Sequence, residues 1–383
     1  MKLKLSTGLL SLTAASLLTL AGTASAVAPI KMRWASDHSG PPHPAAIAEV
    51  YFAEKLEEKV PGSKVQIYWA KSLYTIPQGV KALTQGNLEM LTGQFGKTAS
   101  AEPYANVMLG AGKLTTPGAI GKLDTTLTYK AVADLMSKKH QITLLASGDM
   151  SMFMGIGGTK GRYVSPNDFK GSKVRSMGPA ENALLSSLGA NPQAMAFGDV
   201  PSALQTGVID GLLTSLGGFN AVKEQAPYFT VAGLNGLVGD YYWFGASQKW
   251  WNRLSKAQQA AVSEVFYNDF LPFQRAINFC ADQRIVKQFQ TTDKKAPGIY
   301  IMTPEEAAQI KSAEGGATNE WIRSKVDEKG AKLVNAFELE AAQLVAENPI
   351  GSSAVEKVDC SQFDKVFARY GKGGELTGKK ERK

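Results

Sequence analysis

Ser165-Pro166-Asn167-Asp168-Phe169-Lys170-Gly171-Ser172-Lys173-Val174-Arg175 is the stretch on which the reading of the fold turns. It reads as a Ser-Pro-Asn-Asp turn followed by a short strand over 173–175 that ends in arginine. Downstream come Leu188-Gly189-Ala190-Asn191-Pro192, Met195-Ala196-Phe197-Gly198-Asp199-Val200 and Ala203-Leu204-Gln205-Thr206-Gly207-Val208-Ile209-Asp210-Gly211. The spacing predicts a helix over 180–188 that stops at Gly189, where a left-handed cap meets no Cβ penalty. Asp199 is placed to cap a second helix over 200–206, which stops at Gly207. Strand and helix thus alternate, the pattern of an α/β domain.

The same alternation extends toward the N-terminus. Residues 31–35 read as a strand, and Pro41, Pro42 and Pro44 forbid helix until the amphipathic run 45–60, which Pro61-Gly62 ends. A strand over 65–69, a helix over 76–85 and a strand over 88–91 follow, and a largely parallel sheet is expected. A second block opens with strands over 142–146 and 152–156. The glycine-rich run 155–161 after them puts Lys160 where a dinucleotide fingerprint needs its last glycine, so it reads as a flexible turn. Beyond a strand over 241–246, a helical pattern runs from 255 to about 290 and is expected to kink at Pro272. Thr303-Pro304-Glu305-Glu306 is a strong helix start, with a hydroxyl N-cap, Pro at N1 and Glu at N3. The expected organisation is one lobe from 27–150 with about 241–280, a second from 151–240 with about 281–350, and a C-terminal extension over 351–383.

Lys2 and Lys4, an apolar stretch over 9–21 and the small residues Ala24-Ser25-Ala26 have the order of a Sec-type signal peptide. Cleavage is expected after Ala26, which places the protein in the periplasm. The formal charge is +8, part of it in the terminal Lys379-Lys380-Glu381-Arg382-Lys383, and few basic clusters are interleaved with aromatics. A nucleic-acid surface is therefore not expected. Two cysteines, Cys280 and Cys360, exclude a four-Cys zinc site and a small disulfide scaffold. They are either a disulfide or two buried thiols, and spacing does not decide between these.

Catalytic patterns are missing. Gly93-Gln94-Phe95-Gly96-Lys97-Thr98 fails as a phosphate loop because Leu91 stands where the first glycine belongs. There is no Gly-x-Ser-x-Gly elbow and no His-Glu-x-x-His helix. The histidines are His38, His43 and His140, and the first two lie in a proline-rich loop from which one could reach a ligand. No cofactor, no metal and no enzymatic activity are expected.

The motifs quoted above, in that order, resemble the DctP family of TRAP transporter solute-binding proteins, with its D-L-K-G-x-K-x-R strand, G-A-N-P turn and A-L-Q-x-G-x-x-D-G segment. Gly86-Asn87-Leu88-Glu89-Met90 is similar to the family's G-x-x-D-M element, with Glu for Asp, and Trp250-Trp251-Asn252-Arg253-Leu254-Ser255 to its tryptophan-bearing helix start. The likeness covers roughly 31–290 and not the tail after Asn348. It implies a two-lobed α/β clamshell of the periplasmic-binding-protein type with a long lobe-spanning helix toward the C-terminus. It further implies capture of a small organic carboxylate and delivery to small and large integral-membrane subunits driven by an ion gradient. On this resemblance Arg175 holds the ligand carboxylate, Phe197 packs on the ligand and Thr214 supplies a hydrogen bond.

Leu212 and Leu213 replace polar residues of the family, and no arginine stands near Met154 or Gly155, where sialic-acid-type relatives carry a second one. Trp34, Tyr68, Trp69, Tyr241, Tyr242, Trp243 and Phe244 hint at a ligand with an apolar or aromatic body, and Trp34 is included among the expected contacts. Asp37, Thr92 and Gln94 follow first-lobe strand ends, where ligands bind in open α/β sheets. Three other readings compete: an ABC-type binding protein, a periplasmic enzyme acting on organic acids, and an interaction or sensor module.

Overall fold

The computed structural model describes residues 27–109, 113–149, 151, 153–232, 239 and 241–371. The expected signal peptide over 1–26 and the basic tail over 379–383 lie outside the described residues. Among the described residues, eleven strands form two mixed sheets: β1 (Lys31–Ser36), β2 (Lys64–Tyr68), β3 (Met90–Gln94), β4 (Ile142–Asp149), β5 (Met154–Gly158), β6 (Lys173–Ser176), β7 (Asn191–Ala194), β8 (Gly211–Ser215), β9 (Tyr228–Val231), β10 (Tyr241–Ser247) and β11 (Gly298–Ile301).

The first sheet has the order β2-β1-β3-β10-β4 and the second β11-β9-β5-β8-β6-β7. Each contains one strand antiparallel to both neighbours, β10 in the first and β5 in the second. These are the strands by which the chain enters one sheet after leaving the other, from β4 to β5 and from β9 to β10. The remaining pairs are parallel, so the largely parallel arrangement expected holds except at these two strands.

Five helices matter for the site: α1 (Pro44–Lys59), α2 (Leu216–Val222), α3 (Leu271–Phe289), α4 (Glu328–Glu347) and α5 (Asp364–Gly371). Side chains alternate across β10. Tyr241 and Trp243 enter one core of the first sheet, while Phe244 and Ala246 enter the other, with Trp34, Phe52, Phe266 and Phe270. The Trp34 ring meets Phe52 at 5.2 Å and Phe270 at 5.5 Å edge-on, the favoured geometry for aromatic quadrupoles. Val334, Phe337 and Ala341 of α4 pack into the core with Trp243. Residues 328–347, expected with the second lobe, therefore cover a face of the first sheet, because their apolar stripe finds its partner there.

Two local expectations are corrected. The glycines at 155–158 are not a flexible turn; they lie in β5, paired on both sides. A Cβ on Gly155 would stand 2.3 Å from the Thr230 carbonyl oxygen and one on Gly158 2.0 Å from that of Gly161, so close backbone approach demands glycine here. The long helical run is interrupted by a π-helical segment, Val265–Phe270, directly before α3. The widened turn accommodates Pro272, which has no N–H to give and whose ring would crowd the preceding turn of an α-helix.

Helix α3 links the two halves. Ile277 and Cys280 lie in a first-sheet core, and Phe289 meets Phe219 of α2 at 6.0 Å. Cys280 and Cys360 form a disulfide, which ties the segment after α4 to this helix.

Candidate ligand-binding cleft

The turn chemistry that places Arg175 is local. Asp168 accepts from the Ser165 backbone N–H at 2.7 Å and from its hydroxyl at 2.9 Å, closing a capping box. Gly171 and Gly189, both at positive φ, are joined by an N–H to carbonyl bond of 2.9 Å. Asp210 accepts from the Lys173 backbone N–H at 2.9 Å. The Asp-Gly, Lys-Gly and Leu-Gly steps of the quoted stretch therefore hold β6 in register between β7 and β8, and so aim Arg175. β6 is next to the sheet edge.

The Arg175 side chain is almost fully buried, at 2% exposure, yet it lines a cleft of about 960 Å³ between the two sheets. Its Nε donates to the Met195 carbonyl at 3.1 Å and its Nη1 to the Leu213 carbonyl at 2.9 Å. The guanidinium carbon lies 5.9 Å from the centroid of the Phe197 ring, within cation–π range. Arg162 offers a contrast: it also donates to backbone carbonyls, those of Phe229, Gly298 and Lys294, but it does not line the cleft. Burial lowers its pKa, and its contacts join the strand ends of the second sheet. Thr214, on β8, also lines the cleft, as do Met177 and Ser215.

From the first sheet, Asp37 reaches the cleft, but its carboxylate is engaged by Lys97 and by the Tyr242 hydroxyl at 3.1 Å. The Lys97 ammonium offsets the Asp37 charge at this edge of the cleft. Trp34 and Thr92, expected at the ligand, are elsewhere. Trp34 is fully buried, and its Nε1 donates to the Thr92 hydroxyl at 2.8 Å, which in turn donates to Glu49 at 2.8 Å. Glu49 also accepts from Ser36 at 2.7 Å and Trp69 at 2.7 Å, so these side chains form a buried network under the cleft. Gln94 is buried too: it accepts from the Lys97 backbone N–H at 3.0 Å and points Nε2 at the Met177 sulfur, 3.9 Å away across the lobes. It contributes to the contact between halves and not to the lining. Of the aromatic set expected near the ligand, Tyr242 lines the cleft, whereas Tyr241, Trp243 and Phe244 are core.

His43 was considered from the sequence only as a loop residue within reach, and it does line the cleft. Its Nδ1 accepts from the Ala45 N–H at 3.2 Å, capping α1, which leaves Nε2 as the protonated nitrogen of the neutral ring. The residue as a whole is half-buried, but Nε2 has essentially no solvent contact and, among the described residues, no hydrogen-bond partner. Burial, with a contribution from the stacked His38, pushes its pKa down to about 3. Phe367, Tyr370 and Arg284 also line the cleft and carried no sequence signal of doing so. Among the described residues, no group of three His, Cys, Asp or Glu is placed to hold a metal ion.

Residues 35–325 match the model of DctP, the bacterial extracellular solute-binding proteins of family 7. The chain belongs to this family. A C4-dicarboxylate-binding periplasmic protein from Rhodobacter capsulatus is 31% identical over 215 residues, 52% of this chain and 60% of that protein. Among solved structures, the sugar acid binding protein from Advenella mimigardefordensis in complex with galactonate superposes with a TM-score of 0.71 at 20% identity, over 82% of this chain and 99% of that one. A TRAP periplasmic solute-binding protein from Desulfovibrio salexigens with bound orotic acid gives 0.71 at 18% identity, with the same shares covered. The two-lobed α/β architecture of this DctP-family chain is thereby shared with solute-binding proteins. Among its described residues, no helix is long and apolar enough to cross a membrane.

Proposed function

We propose that this chain is the substrate-capturing subunit of a TRAP transporter, working in the periplasm and holding a small organic acid between two lobes through Arg175. The observation that carries this reading is a buried guanidinium facing an interlobe cleft, oriented by the carbonyls of Met195 and Leu213. A planar fork already fixed in direction loses little freedom when it meets a carboxylate, and the charge-assisted bonds strengthen as water is excluded. Phe197 packs beside the carboxylate, and the Thr214 hydroxyl offers a further hydrogen bond. Asp37 acts through Lys97 and Tyr242, not as a direct contact with the anion.

Residues 27–150 with β10 make one lobe and 151–231 with β11 the other, and the crossings between β4 and β5, between β9 and β10, and along α3 form the hinge about which they close. No chemistry is performed on the ligand. The loaded protein hands it to small and large integral-membrane subunits, which an ion gradient drives. The reading draws support from the family match and from relatives whose ligands are carboxylates. Isothermal titration of the secreted protein against a panel of organic acids tests it: tight binding to at least one carboxylate, without turnover, is expected. Binding of none, or conversion of a bound acid, contradicts it.

A further inference from the structure

Resting on the reading that Arg175 holds a carboxylate, we propose that the C-terminal extension is part of the binding site. Helix α5, fastened to α3 through Cys360–Cys280, supplies an aromatic wall of Phe367 and Tyr370 for the apolar or aromatic body of the ligand.

Both residues line the same cleft as Arg175, Phe197 and Tyr242. They lie beyond 35–325, the part that matches the family model. The attachment of α5 is redundant. The disulfide brings the Cys280 and Cys360 Cα atoms to 5.3 Å, and Phe363 packs on Phe273 with ring centroids 5.4 Å apart. Arg284 of α3 pairs with Asp364 and lies 4.9 Å from the Phe367 centroid, while Arg369 reaches Glu54 of α1 at 3.4 Å. A surface tail would need none of this. A wall that has to keep its place while the lobes move needs such an anchor, and α3 is the helix that spans them.

The chemistry of the cleft points to the ligand class. Arg175 is the buried cation at one side. Lys71, Lys97 and Arg284 line the cleft as well: Lys97 and Arg284 pair with Asp37 and Asp364, and Lys71 is exposed to solvent. Around them stand Phe197, Tyr242, Phe367 and Tyr370, with Ile285 and Ala281 of α3. A monocarboxylate with an aromatic or extended apolar body matches one buried cation and two aromatic walls, whereas a small dicarboxylate leaves the second wall without a contact.

The experiment is isothermal titration of the full secreted chain with phenylacetate, 4-hydroxybenzoate, cinnamate, octanoate and succinate as probes, with circular dichroism to check folding of each variant. One of the first four is expected to bind at least 10-fold more tightly than succinate. Phe367→Ala, half-buried and so tolerant of change, is expected to weaken that acid by 10-fold or more. The paired Cys280→Ser, Cys360→Ser variant is expected to weaken it several-fold, because the wall loses its anchor while its residues remain. Should Arg175→Ala abolish binding of the best acid while Phe367→Ala leaves it unchanged, the wall is refuted and the carboxylate site stands. Preference for succinate over all four bulkier acids also refutes the wall. Failure of every carboxylate to bind overturns the site reading itself, and the wall with it.

Discussion

The guanidinium of Arg175 lies over the ring of Phe197, 5.9 Å from its centroid, while the carbonyls of Met195 and Leu213 hold two edges of its donor fork. Phe197 therefore shields the cation from water on one face and limits where an anion can approach. Phe197→Ala is expected to weaken ligand binding by about 0.5–2 kcal/mol, the range of a cation–π contact on going from exposed to desolvated settings. Titration calorimetry on the variant reads this directly, and unchanged affinity would show that the ring serves packing alone.

Trp34 belongs to the core, and its test separates stability from binding. Trp34→Phe keeps an aromatic ring against Phe52 and Phe270 but removes the Nε1–H that the Thr92 hydroxyl accepts. A loss of about 1–3 kcal/mol in unfolding free energy is expected, with the ligand Kd within about twofold of the parent. Denaturant titration and calorimetry together check it. A large change in Kd at constant stability would return Trp34 to the binding site.

The disulfide closes a long loop between Cys280 and Cys360, separated by 80 residues. In the chain-entropy description such a link stabilises by about 4.5 kcal/mol. Reduction, or the paired serine variant, is expected to lower the melting temperature clearly. A melting curve indifferent to dithiothreitol would mean that the two sulfurs are not joined in solution.

His43 contributes a pH dependence whose sign is fixed by the direction of its shift. Its folded pKa is pushed down to about 3, so the unfolded chain takes up a proton first as pH falls below about 6.5. Stability is full above that value and is lost progressively between about pH 6.5 and 3, by about 2 kcal/mol at pH 5. His43→Asn retains a side-chain acceptor for the Ala45 N–H and removes the titration. Its stability is expected to vary less between pH 6.5 and 4.5, measured by urea unfolding at each pH, and an identical slope would exclude His43 as the source.

The position of Arg175 at the cleft was legible because the residues around it have strict backbone duties. Gly171 and Gly189 sit at positive φ, and a Cβ on Gly211 would stand 2.6 Å from the Gly157 carbonyl oxygen, so the pattern survives in the sequence as a signature of geometry. Trp34 and Thr92 were misplaced for the opposite reason. β3, with Thr92, and the 34–36 end of β1, with Trp34, are buried at every position, so alternation cannot say which face looks into the cleft and which into the core. The glycines of β5 read as a turn because propensity penalises glycine in strands, whereas tertiary crowding at Thr230 and Gly161 requires it. Phe367 and Tyr370 gave no sign, since their position depends on a disulfide and on α3 crossing between lobes. Helix α4 was assigned to the second lobe because its apolar stripe says that it packs, not on what.

The measurement that bears most directly on the site is the affinity of Arg175→Ala for the best organic acid found with the parent protein, taken with a melting curve to show that the variant folds. Removal of the fork is expected to weaken binding by about 30-fold or more, in line with the 2–5 kcal/mol lost when one partner of a buried charge pair is truncated. A folded variant that binds the same acid with parental affinity would contradict the assignment of Arg175 as the carboxylate anchor.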